Sequence, residues 1–104
     1  MRNVTINGEE FPLKYGRKAL NKVLELVDGK TLKDAAKVDD LPTEKWGMFV
    51  FAGLETGCRV SGKVAPVIDA VEDALDNDLT IWSVALEQFL EDLVGDKKPN
   101  TEGN

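Results

Sequence analysis

The sequence predicts a mainly α-helical (α+β) fold, with an N-terminal two-stranded β-hairpin packed on a bundle of about four to five helices. Three observations carry that prediction. Apolar residues alternate around Asn7 and Gly8 at the start of the chain, and from residue 16 onward they recur at spacings of three and four. The third is size: 104 residues, 42% hydrophobic and 31% charged, suit a single core with no room for a second.

The hairpin comes first, over residues 2–15. Val4 and Ile6 precede the turn, and Phe11, Leu13 and Tyr15 follow it. Asn7-Gly8 tolerates the positive φ that a tight turn needs. Pro12 lacks a ladder donor and therefore belongs at an edge, with its nitrogen facing away from the partner strand. An isolated hairpin is marginal in water, so its apolar face must rest on the helical body, residues 16–94.

In that body, residues 16–28 place Ala19, Leu20, Val23, Leu24 and Val27 on one stripe, with Arg17, Lys18, Lys22 and Glu25 as a solvated back. Gly29 reads as the stop. Residues 31–38 form a two-turn helix, with Thr31 and Asp34 spaced as a capping box. Residues 43–56 read as a helix with Trp46, Phe49, Val50, Gly53 and Leu54 on one face, although the run from Met48 to Leu54 also fits a buried strand. Pro66 suits the first turn of the next helix, which carries Val67, Ile68, Val71 and Leu75 and ends near Asp76. A last helix starting near Asp78 or Thr80 has the longest stripe, from Leu79 through Trp82, Ala85, Leu86, Phe89 and Leu90 to Leu93, and is expected to supply most of the core. Residues 1–94 make one domain. The polar tail, 95–104, has no apolar anchor and is expected to be disordered.

Composition narrows the chemistry. The formal charge is −6, from 13 basic and 19 acidic residues, and the cations are interspersed with carboxylates, which argues against nucleic acid or an anionic membrane as partner. There is no histidine and one cysteine, Cys58, so imidazole catalysis, an intrachain disulfide and a multi-cysteine zinc site are excluded. No apolar run approaches the roughly 20 residues that span a bilayer, and the first residues do not resemble a signal peptide. A cytoplasmic protein without cofactor is expected, and Asn3-Val4-Thr5 is then an idle glycosylation match.

Two motifs nearly match known sites. Gly57, Gly62 and Lys63 have the spacing of a phosphate-binding loop, but Val64 occupies the position of the metal-binding hydroxyl and the preceding segment reads as helix, so the stretch reads as a connector. Asp76, Asp78, Thr80 and Glu87 stand at ligand positions of a calcium loop, yet Ile81 replaces its essential glycine. Asp78 then reads as a helix cap, and Asp69, Glu72, Asp73 and Asp76 as a solvated face. No catalytic, cofactor or metal residue emerges, and the expectation is a non-enzyme.

The opening VTINGEEFPLKYGRKALNKVLEL, then GKTLKDAAKVDDLPTEKWGMFVFAGLE and a Leu79-Thr80-Ile81-Trp82 helix start, resembles the tail assembly chaperones of long-tailed bacteriophages and prophages over roughly residues 3–94. The resemblance implies a hairpin before a helical body, and a protein that acts in the host cytoplasm. Its expected partner is the long helical tape-measure protein, and possibly the tail-tube protein, with no enzymatic activity. A structural head-tail component retained in the virion is the alternative, and a small nucleotide-binding protein a third. Met48 and Phe51 lie off the core stripe of their helix and, with Ile81 and Trp82, are the expected partner-binding residues. Equally, they could complete the core or a homo-oligomer interface.

Overall fold

The computed structural model describes residues 1–94, and the tail expected to be disordered lies outside the described residues. Strands β1 (Asn3–Ile6) and β2 (Glu9–Pro12) are followed by helix α1 (Arg17–Leu26) and a 3-10 helix (Leu32–Asp40). A single 3-10 turn (Thr43–Lys45) then leads into α2 (Trp46–Ser61), α3 (Ile68–Asn77) and α4 (Thr80–Val94). A hairpin resting on a helical body is thus the architecture of the described residues.

The hairpin turns through Asn7 and Gly8, with φ of 54° and 79°, the mirror-image turn whose twist matches that of the strands. Val4 faces Phe11, and Asn3 faces Pro12. The Leu13 N–H donates to the Arg2 carbonyl at 2.8 Å, which makes Arg2–Leu13 a hydrogen-bonded pair and its neighbour Asn3–Pro12 a non-bonded one. Pro12 therefore costs the ladder nothing. Val4, Ile6, Phe11 and Leu13 all point into the core.

Helix α1 buries Ala19 and Val23 and ends in a Schellman motif, with the Gly29 N–H on the Leu24 carbonyl (2.8 Å) and the Asp28 N–H on that of Glu25 (3.3 Å). The left-handed residue is Asp28, at φ 56°, rather than the expected glycine. Gly29 is required for a different reason: a Cβ there would strike the Asp34 side chain. That carboxylate accepts from the Lys30 and Thr31 N–H groups at 2.8 and 3.2 Å, so the capping box read from sequence is present. The helix it caps is 3-10, not α. Ala35, Val38 and Leu41 are buried at a spacing of three, the period of a 3-10 helix, which puts them on one edge.

Helix α2 is the centre of the molecule. It buries Phe49, Val50, Ala52, Leu54 and Cys58, whereas the core residues of α4 are Ile81, Ala85 and Phe89, which corrects the expectation that the last helix dominates. The aromatic heart lies between them: the Tyr15 ring stacks on Phe49 at 5.0 Å and meets Phe89 edge-on at 5.3 Å. The Tyr15 hydroxyl donates to the Phe49 carbonyl at 2.9 Å, so its burial leaves no polar atom unpaired.

Candidate functional site

The phosphate-loop-like stretch does not form a loop at its start. Helix α2 runs on to Ser61, five residues beyond the expected end, and Gly57 is buried within it. A Cβ at Gly57 would collide with the Pro12 carbonyl, and one at Gly53 with the Tyr15 ring. Both glycines thus face the segment that leaves the hairpin, whose Lys14 N–H donates to the Gly53 carbonyl at 3.1 Å. Close approach of chain to helix explains them, as it does small-residue spacing in packed helices generally. Gly62 alone acts as a helix stop, at φ 72° with the Lys63 N–H on the Cys58 carbonyl at 2.8 Å. Lys63 points back to the hairpin, 3.0 Å from Glu9 Oε2 and 5.1 Å from the centre of the Phe11 ring.

Of the calcium-like residues, Asp78, Thr80 and Glu87 have structural employment. Asp78 Oδ1 accepts the Thr80 N–H at 3.0 Å at the start of α4. Glu87 lies well inside α4, beside Glu91, where Arg2 pairs with both at 3.6 and 2.7 Å. Among the described residues no group of three or more His, Cys, Asp or Glu is placed to hold a metal ion, and no described helix is long and apolar enough to cross a membrane. Burial pushes the Cys58 thiol above its ordinary pKa, with Glu9 adding to the rise and Lys63 opposing it, so this sulfur is poorly suited to act as a nucleophile. The Asp34 carboxyl is held low by the Lys30 and Thr31 N–H groups, a helix-capping role.

What the fold leaves open is the outer seam between α1 and α2. Met48, 42% exposed, and the half-buried Phe51 line a recess of about 160 Å³ with Leu26 and Ala52, rimmed by Lys22, Glu25 and Glu55. Beside it, a second recess of about 210 Å³ shares Lys22, Ala52 and Glu55 and extends to Lys18, Thr56 and Arg59. The two lie along one seam between α1 and α2. Its apolar half was legible in the sequence through Met48 and Phe51. Its basic half was not, because Lys18 and Lys22 read as a solvated back and Arg59 as part of a loop.

The other two expected partner residues do not join it. Ile81 is 4% exposed, because in the first turn of α4 it faces the core on the same side as Ala85 and Phe89, so it is withdrawn from the free surface. Trp82 is half-buried, and its indole lies parallel to that of Trp46 at 4.4 Å. The Trp46 Nε1–H in turn donates to the Leu41 carbonyl at 3.0 Å, so the stack ties α4 to the entry of α2.

Comparison with protein-family models, curated proteins and solved structures returns no match for this chain.

Proposed function

We propose that this protein is a non-enzymatic assembly chaperone of a long-tailed phage or prophage, acting in the host cytoplasm by covering apolar helical surface on the tape-measure protein. The observation that carries the reading is the groove at Met48 and Phe51, an apolar recess left open on helices whose remaining large side chains are mostly buried. Grooves of this kind take the apolar face of an amphipathic helix. A net charge of −6 keeps such a protein soluble while it holds an aggregation-prone partner. Repeated weak contacts along one long chain would add up by avidity, so a shallow groove is sufficient. Recruitment of tail-tube subunits would follow from the same non-covalent chemistry.

The test is co-expression with the tape-measure protein that this reading expects to be encoded beside it, followed by protein analysis of purified virions. The reading expects the partner to be retained in the soluble fraction only when this chain is present, and the chain to be missing from finished particles. Its presence in virions at fixed stoichiometry would instead establish a structural tail component.

A further inference from the structure

The α1–α2 seam has two chemically different ends. Helices α1 and α2 pair antiparallel there: Leu26 lies by Met48 and Phe51 at one end, and Lys18 lies by Thr56 and Arg59 at the other. The first end is an apolar recess of about 160 Å³, room for one large side chain. The second holds three cations, Lys18, Lys22 and Arg59, around one carboxylate, Glu55. Among the described residues these three cations make no ion pair, as is true of most described Lys and Arg side chains; Arg2 pairs with Glu87 and Glu91, Lys37 with Asp34 and Lys63 with Glu9. In a chain of net charge −6, three cations grouped around a single carboxylate beside an apolar recess reverse the overall charge balance locally.

From this arrangement we infer that the seam receives an amphipathic helix carrying one large apolar anchor and, two to three turns from it, carboxylate side chains. The anchor fills the recess between Leu26, Met48 and Phe51, and the carboxylates meet Lys18 and Arg59. The spacing follows from helix rise: Lys18 is about 12 Å along α1 from Leu26, and Arg59 about 16 Å along α2 from Met48. A helix with Lys or Arg at the same place would be repelled, so the basic end selects between partners that the apolar end alone would accept equally. The inference rests on the reading of the Met48–Phe51 recess as the binding surface, and adds to it the chemistry and direction of the segment bound.

Two synthetic amphipathic peptides of about 18 residues, long enough to cover the seam, provide the probe. Both have the same Leu ridge and one Phe anchor, and they differ only in having Glu or Lys two to three turns away. The expected result, read by amide chemical shifts of the full-length chain, is binding of the Glu peptide with shifts confined to α1 and α2. The Lys peptide should bind about tenfold more weakly, as two exposed charge pairs change sign, and added salt should narrow the gap. The exposed double substitution Lys18→Glu, Arg59→Glu should reverse the order. Equal binding of the two peptides, shifts on α3 and α4 instead, or no binding by either would overturn the inference. So would concentration-dependent self-association that the double substitution abolishes, since a second copy would then be the occupant. Glu-peptide binding at the seam without any hold on the tape-measure protein would sink the chaperone reading alone. Tape-measure binding indifferent to the double substitution would sink this inference alone.

Discussion

Helix α2 has two faces with opposite fates. One carries Gly53 and Gly57, and chain from the hairpin lies against it so closely that no side chain fits. The other carries Met48, Phe51 and Glu55, and opens onto the groove shared with α1. Both faces are rich in residues that look out of place in an ordinary amphipathic helix: glycines in one case, unburied apolar groups in the other. The glycines are explained by what the fold has placed on them. The apolar groups are not, and that difference separates residues the fold itself uses from residues it leaves open.

Substitutions on the two faces should therefore behave differently, and the largest effect belongs to the shared core between them. Phe49→Ala removes a fully buried ring that touches Tyr15, Trp82 and Phe89. It should cost about 4 kcal/mol in chemical denaturation, a large part of the stability of a domain of this size. Gly57→Ala adds one carbon, yet the obstacle is the Pro12 backbone, which has little freedom to yield. A loss of about 2–3 kcal/mol is expected, against about 0.5 kcal/mol or less for the exposed Glu55→Ala two residues away. Equal costs at positions 55 and 57 would break the comparison.

Tyr15 sharpens it through pH. It is the only tyrosine in the chain, and burial, with a smaller contribution from Asp92, raises its pKa well above the ordinary value of 10.0. The folded state thus keeps a proton that the unfolded chain releases, so stability from this group is intact below pH 10 and falls as pH rises beyond it. Tyrosinate absorbance should emerge only together with unfolding, and Tyr15→Phe should flatten the alkaline loss while costing about 1 kcal/mol near neutrality through the missing bond to the Phe49 carbonyl. A normal titration near pH 10 with the fold intact would contradict the packing described for the glycine face. The smallest effect on stability is expected on the open face, where Met48→Glu should change it by about 0.5 kcal/mol or less.

The hairpin was legible because Asn7-Gly8 and strict alternation are local signals, and most helix positions followed from apolar periodicity for the same reason. What escaped the sequence depended on tertiary approach. Gly57 looked like loop material because glycine in mid-helix is unfavourable in isolation, and only the strand exit lying on it reverses that judgement. The spacing of four between Gly53 and Gly57, in line with the buried stripe, was the available signal. A period of three through Ala35, Val38 and Leu41 was likewise present and marked the 3-10 helix. Ile81 was misplaced because α4 is apolar on more than one side, so periodicity did not say which side faces in. In the candidate groove, Met48 and Phe51 could be singled out as surplus to one stripe, but bringing Lys18 and Arg59 together required knowing how α1 crosses α2.

The most direct test of the central claim, that the open face of α2 is kept for a partner, uses the double variant Met48→Glu, Phe51→Glu co-expressed with the proposed partner, the tape-measure protein. The account predicts a chain that remains folded by near-ultraviolet circular dichroism but no longer keeps its partner in the soluble fraction. Partner solubility equal to that of the unaltered chain, with the fold intact, would contradict it.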